Sequence, residues 1–304
     1  MSARRPPDPM PDLMTVKEVA DYLRLGERKI YDLVARRSIP VVKVTGKLLF
    51  PRAHIDLWLT AHLQQPEDVV LPQPRPPVIS GSDDLLLEWA VRQSGCKLAL
   101  LLDGSGVGLR RFAEGGAVAC GLHLLDEASG RFNTPLVERS LAGVPYVLLH
   151  WARRETGLVL PQGNPQGIRG LADLLRPEVT FADRPPGTGA HLLVRALLRR
   201  DGLDPQALRP AEAAAVSETD VAAAILERRA TAGFAVRAAA NRFGLTFVPL
   251  AWEDFDLVLD RRAVFEPPLQ ALLHFTRTAA FAERARLFGG YDLTDLGAVR
   301  SNGA

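Results

Sequence analysis

Cysteine is almost missing from this chain. Only Cys96 and Cys120 occur in 304 residues, so no disulfide framework is implied and a reducing cytoplasm is the expected setting. The six histidines have no metal-ligand spacing: there is no His-Glu-x-x-His and no Cys pair, and no metal site is expected. No apolar run approaches the length of a membrane span, and no membrane partner is expected. The opening Met1-Ser-Ala-Arg-Arg-Pro-Pro-Asp-Pro carries charge without an apolar core, so it does not read as a signal peptide. What is present is ordinary for a soluble globular protein: 47% hydrophobic residues and 24% charged, in a chain long enough for two domains.

A net charge of +2 conceals an asymmetry. Residues 1–62 carry eleven Lys and Arg against seven Asp and Glu, and the remainder of the chain is slightly acidic. A basic fifth attached to a near-neutral body suits a small nucleic-acid-binding module on a larger domain.

Within that fifth, Leu13-Met14-Thr15 opens a helix with Thr15 as N-cap and Glu18 three residues on, a capping box. Val16, Val19, Ala20 and Leu23 share one face. Arg24-Leu25-Gly26 turns the chain into a second helix, from Glu27 to about Arg37, with Ile30, Leu33 and Val34 as its apolar face. Two short helices around such a glycine turn form a helix-turn-helix. Val41–Val44 and Leu48–Phe50 then read as a hairpin about Thr45-Gly46-Lys47, and Pro51 starts a third helix with Ile55, Leu57, Trp58 and Leu59 available for packing.

The run "TVKEVADYLRLGERKIYDLV" followed by "IPVVKVTGKLLFPRAHIDLWL" resembles the excisionase and MerR-type winged helix-turn-helix, over residues 13–62. The resemblance implies double-stranded DNA as partner, with the second helix in the major groove. Its outward residues include Arg28, Lys29 and Tyr31, with Arg36 and Arg37 at its end; Arg28 and Lys29 sit where recognition helices touch bases. Lys43 and Lys47 would hold phosphates from the wing. Each of these residues would also suit a plainly solvated face. A proline-rich spacer, residues 63–77, ends the module.

From Val78 onward strands alternate with helices. Residues 78–80, 97–102 and 117–120 read as strands, and residues 84–94 and 107–114 as the helices between them. This order predicts a parallel sheet with ligands at the carboxyl ends of its strands. Small hydroxyl residues stand at the turns: Ser80 and Ser82, then Ser105 with Gly106.

A third such turn is the stretch around which the body is organised. Residues 179–182 form an apolar strand, Pro185 and Pro186 break it, Gly187-Thr188-Gly189 turn, and a helix runs from about Ala190 to Arg200. The stretch is not a nucleotide phosphate loop. In the pattern G-x-x-x-x-G-K-[ST] the first glycine falls on Arg184, the lysine on Ala190 and the hydroxyl on His191. A fourth turn, Ser217-Glu218-Thr219, precedes the apolar helix 221–226. Four helix starts bearing Ser or Thr can surround one oxyanion with N–H and O–H donors and no formal positive charge. Ser and Thr are equally the preferred N-caps, and Asp83, Asp84 and Asp103 would repel an anion if they faced it.

The segments "GVGLRRFAEGGAVACGLHLLDEASGRFNTPLVERSL", "ARRETGLVLPQGNPQGIRGLADLLRPEVTFADRPPGTGAHLLV" and "FGGYDLTDLGAV" resemble the type II periplasmic-binding-protein-like domain of cytoplasmic regulators related to molybdate-binding proteins. That implies an α/β domain over residues 78–304 with two lobes: lobe I from 78–156 and 251–304, lobe II from 157–250. The chain would cross between them near residues 157–160 and 247–250, with an anion in the cleft. Where the family tends to have Gly-Ser-Gly-Thr-Arg, this chain has Gly187-Thr188-Gly189-Ala190-His191, and Asp183 stands where an amide is usual.

The expectation is therefore a one-component transcriptional regulator, not an enzyme, working as a homodimer without a cofactor. Its effector would be molybdate or tungstate, held by Ser80, Ser82, Ser105, Gly106, Thr188, Gly189, Ser217 and Thr219. Two alternatives stand beside it: an organic effector in a pocket lined by Trp89, Trp151, Trp252 and Tyr146, and an enzyme using the same cleft. No nucleophile–base pair marks the latter.

Overall fold

Thr15 opens the first helix as its sequence requires. Its hydroxyl accepts from Glu18 N at 3.4 Å while the Glu18 carboxylate accepts from Thr15 N at 2.7 Å, so both halves of the capping box form. The computed structural model describes residues 11–64 and 74–303. It divides the chain into two units, Met1–Pro72 and Gln73–Ala304. Arg4, Arg5 and the proline-rich residues 65–73 lie outside the described residues.

In the first unit, α1 (Val16–Leu23) and α2 (Glu27–Ala35) meet at a turn whose left-handed residue is Arg24, with φ 52; Gly26 has φ −74. Strands β1 (Leu13–Met14), β2 (Val42–Val44) and β3 (Lys47–Pro51) form an antiparallel sheet in the order β1-β3-β2. Leu13 and Met14 thus do not open the helix. They pair with Pro51 and Phe50, which carries Met14 into the core. The wing turns on Thr45 and Gly46, both at positive φ (46 and 79), as a two-residue hairpin loop requires. Helix α3 (Arg52–Ala61) buries Ile55 against Met14, Val19, Ile30 and Phe50. Leu57 and Leu59, expected to pack, remain exposed.

In the second unit, β4 (Val78–Gly81), β5 (Ala99–Leu101) and β6 (Ala119–Leu122) run parallel in the order β5-β4-β6. The crossovers are α4 (Leu85–Ser94) and α5 (Ser105–Ala113). β6 lies two residues beyond its expected place, because residues 117–122 are buried throughout and no alternation marks the ends of such a run. A short hairpin of β7 (Leu125–Asp126) and β8 (Arg131–Phe132) leads to α6 (Thr134–Ser140) and β9 (Tyr146–Leu160). Then come β10 (Phe181–Ala182), α7 (Gly189–Arg200), α8 (Glu218–Leu226), β11 (Ala232–Val236) and α9 (Arg237–Arg242). The chain returns on β12 (Thr246–Asp260), α10 (Pro267–Phe275), α11 (Ala279–Phe288), β13 (Tyr291–Asp292) and β14 (Val299–Gly303).

β9 and β12, fifteen residues each, pair antiparallel along their whole length and carry the sheet from one lobe to the other. At one end β12 also pairs with β6; at the other β9 pairs with β11, which pairs in parallel with β10. Both expected crossings fall inside these strands, with Gly157 opposite Pro249 beside a bulge. A Cβ at 157 would stand 2.1 Å from Val248 O, so the close approach requires glycine. Separate apolar cores fill the lobes: Ile79, Leu86, Trp151, Phe255, Leu272 and Phe281 in one, Leu158, Phe181, Leu193, Leu198 and Phe234 in the other.

Candidate ligand cleft and nucleic-acid interface

The seven basic and aromatic residues assigned to DNA lie on the surface of the first unit. Arg28, Lys29 and Tyr31 are exposed on α2, Arg36 and Arg37 follow its end, and Lys43 and Lys47 flank the wing turn. The six Arg and Lys side chains form no ion pair among the described residues, so these cations are free to meet phosphates. The N-cap of α2, Gly26, makes no side-chain hydrogen bond and leaves the first turn open.

In the second unit the hydroxyls divide. Ser82 Oγ and Ser105 Oγ lie 2.7 Å apart, both buried, at the end of β4 and the start of α5. Ser105 Oγ also accepts from His123 N at 3.3 Å. The pair has two hydroxyl hydrogens and spends one on itself, so one remains for a guest. Ser80 lies elsewhere: its hydroxyl is engaged by the carbonyls of Gly108 (3.1 Å) and Ala119 (3.2 Å), tying α5 to the sheet. That corrects its assignment as a ligand donor. Ser217 is the N-cap of α8, accepting from Asp220 N at 3.0 Å. Thr219 has no side-chain hydrogen bond among the described residues.

The turn of α7 faces the start of α5. A Cβ at Gly104 would lie 3.5 Å from Thr188 Cγ2, and one at Gly106 would lie 3.9 Å from Gly187 O. Thr188 Oγ1 donates to Pro185 O at 2.8 Å, so its hydrogen is spent and the hydroxyl is no donor to an anion. The open donors there are the first-turn backbone N–H groups of α7 beginning at Gly189, and of α5 beginning at Ser105 and Gly106, which have no intrahelical partners. His191 and Asp183 serve the turn itself: His191 Nδ1 pairs with Arg184 O at 2.9 Å, and Arg195 donates to Asp183 at 2.7 and 3.1 Å.

Around these donors lies a buried charge network that the turn motifs did not reveal. Arg154, on β9, donates from Nε to Glu253 at 3.0 Å and from Nη1 to Asp84 at 3.2 Å. His123 Nδ1 donates to Glu253 Oε2 at 2.8 Å, since a carboxylate can only accept. Burial alone would lift the Glu253 carboxyl, but the adjacent His123 and Arg154 outweigh it and hold it at about 2. Asp83 reaches the other lobe: its Oδ1 accepts from Arg184 Nη2 at 3.1 Å and its Oδ2 from Glu218 N, at the start of α8, at 2.7 Å. Burial raises the Glu218 carboxyl above its usual range, with Arg184 and Arg154 pulling it back and Asp83 and Glu253 pushing it up. Asp84 caps α4 at Leu87 N, and Asp103 pairs with Arg111 at 2.7 Å. One clue was visible in sequence: Asp83 directly follows Ser82. In the sequence Arg184 is marked only by standing at a glycine position of the phosphate-loop pattern.

The aromatic residues proposed for an organic pocket are mostly structural. Trp151 is buried and donates to Asp84 at 3.2 Å; Trp89 packs on Phe275; Tyr146 is buried beside Ser301. Trp252 is half-exposed beneath the Arg153 guanidinium. Cys120 is fully buried, and burial pushes its thiol up to about 12. No group of metal-ligating side chains occurs among the described residues, and no described helix is long and apolar enough to cross a membrane.

Two lobes joined by paired crossover strands, with helix starts facing a cleft, define a binding-protein fold behind a helix-turn-helix. The chain belongs to the PBP superfamily domain family, whose model matches residues 87–277. A helix-turn-helix domain model matches residues 13–62. Along nearly its full length the chain is similar to the uncharacterized protein YvgK of Bacillus subtilis (strain 168), 27% identical over 302 residues, covering 94% of this chain and 96% of that one. Among solved structures it is similar to the tungstate ABC transporter from Geobacter sulfurreducens, with TM-score 0.50, 17% identity, and 68% and 95% of the two chains covered. A putative phosphate ABC transporter substrate-binding protein with bound phosphate from Clostridium perfringens gives TM-score 0.52, 12% identity, and coverage of 69% and 96%. A hydrogen-peroxide-bound OxyR mutant from Corynebacterium glutamicum gives TM-score 0.54, 15% identity, and coverage of 90% of each chain. At these identities the structures establish the fold. The chain thus joins a DNA-binding module to a small-ligand-binding domain.

Proposed function

We propose that this protein is a one-component transcriptional regulator whose interlobe cleft senses a small tetrahedral oxyanion, with molybdate or tungstate as effector. The observation that carries this reading is the buried Ser82–Ser105 hydroxyl pair, 2.7 Å apart, at the start of α5 and opposite the turn into α7. Both lobes contribute donors there, so an anion touching both favours closure, and only such differential affinity can drive a switch. The tungstate and phosphate proteins of similar fold support an anion in this cleft. The burial of Trp151 and Tyr146, and the packing of partly buried Trp89 against the same core as Trp151, weigh against an aromatic-lined organic pocket. The cleft residues named above are engaged in caps, ion pairs and packing and offer no nucleophile–base pair among the described residues, and the reading is of a binding protein without catalysis.

The functional unit is a homodimer, since one small module makes few base contacts and such regulators read paired half-sites. A monomer by light scattering, with and without DNA, would refute that. The effector assignment is tested by thermal shift of the full chain with molybdate, tungstate, sulfate, phosphate and a set of organic acids. Ligands of the folded state raise apparent stability. A response confined to the organic acids would refute the oxyanion reading.

A further inference from the structure

The start of α8 already holds an anion, and it is the protein's own. Asp83, at the end of β4 in one lobe, is 8% exposed and crosses to the other. Its two oxygens take the backbone N–H of Glu218 at 2.7 Å and Arg184 Nη2 at 3.1 Å. Arg184 is 5% exposed, yet its Nε and Nη1 have no hydrogen-bond partner among the described residues. A buried guanidinium with unused donors, beside a helix start, is built to grip a planar carboxylate with two oxygens. Here one nitrogen does the work that the fork could share.

We propose that Arg184 and the first turn of α8 form a carboxylate seat, that Asp83 is its resident ligand, and that a small external anion competes with Asp83 for it. The seat bridges the lobes without any effector. Asp83 therefore supplies internally the cross-cleft contact that a bound anion would otherwise make. It directly follows Ser82 in the chain, so its negative charge belongs to the same cleft as the Ser82–Ser105 pair and opposes a second anion there.

The probe is sodium formate, titrated against the full-length wild type and Asp83→Gly at ionic strength matched with chloride. Formate raises the melting temperature of Asp83→Gly saturably, by roughly 2–4 °C at concentrations about tenfold above its dissociation constant. The same titration leaves the wild type unmoved, and the effect disappears in Asp83→Gly/Arg184→Met. No formate response in Asp83→Gly, or one that survives loss of Arg184, overturns the seat. Should Asp83→Gly fail to fold, Asp83→Asn and its molybdate affinity provide the second measurement. That arm rests on the oxyanion reading above. Competition predicts molybdate at least ~10-fold tighter than in the wild type, whereas a mere structural latch predicts weaker binding. Formate rescue without any molybdate binding would keep the seat and remove molybdate as effector; molybdate binding without formate rescue would do the reverse.

Discussion

Gly189 and His123 meet across the cleft so closely that a Cβ at residue 189 would stand 2.6 Å from both Cε1 and the carbonyl oxygen of His123. His123 is itself fixed, its ring by Glu253 and its N–H by Ser105. One of the clashing atoms is backbone, so the contact cannot be relieved by rotating a side chain. Gly189→Ala should keep the lobes from coming fully together while leaving each lobe folded. The expected result is at least ~10-fold weaker molybdate binding, worth ~1.4 kcal/mol, with little change in melting temperature. Calorimetry and a melting curve on the same sample check this.

The serines should separate by role. Ser82→Ala and Ser105→Ala remove the paired hydroxyls and should weaken molybdate binding. Ser80→Ala should leave affinity unchanged and lower stability by about 1 kcal/mol, the usual net value of a hydrogen bond, because its hydroxyl serves Gly108 and Ala119. Thr188→Ala should also spare affinity, since its hydrogen is spent on Pro185 O. Binding curves and urea unfolding for the four variants decide the matter.

Much of this architecture was legible in the sequence, for local reasons. The Thr15–Glu18 box, the Thr45-Gly46 turn and the glycine turn before α7 are short-range signals, and each produced its element. β1 was missed because two residues carry no periodicity; their strand character comes from pairing with Phe50 and Pro51. β13 and β14 are likewise short or exposed strands whose place is set by β9. Within the cleft, the Ser82–Ser105 partnership spans 23 positions and the Asp83–Arg184 contact 101, so no spacing announces them. Hydroxyls at helix starts look alike in sequence whether they cap, tie strands together or face a guest. Only the fold assigns Ser80, Ser217 and Ser105 to different tasks.

Anion binding should take up protons. Glu218 is buried at the start of α8, with its carboxyl already raised by that burial and faced by Asp83, Glu253, Arg184 and Arg154. A dianion nearby disfavours the ionised form further, so the bound state has the higher pKa and affinity falls as pH rises through the interval between the two values. Molybdate titrations at fixed pH in buffers of different ionisation enthalpy should give buffer-dependent heats. Glu218→Gln keeps an acceptor for Val236 N and should abolish that dependence. Buffer-independent heats in the wild type would contradict the coupling.

On DNA, exposed and unpaired Lys47 beside the wing turn should act on phosphate. Lys47→Ala should weaken every duplex similarly and reduce the salt slope by about one unit. Arg28→Ala and Lys29→Ala, near the start of α2, should instead weaken operator binding more than binding to random duplex. Gel shifts over a salt series separate the two outcomes. Loss of neither specificity nor affinity in all three would remove α2 and the wing from the interface.

Calorimetry of the full chain with molybdate, tungstate and sulfate tests the central claim most directly. Fixed helix-start donors and one free serine hydrogen fit one anion size, and each charge-assisted hydrogen bond lost to a smaller ion costs roughly 1.5–3 kcal/mol. Sulfate should therefore bind at least ~10-fold more weakly than molybdate or tungstate. Equal affinity for the three, or no heat with any of them, would contradict the account.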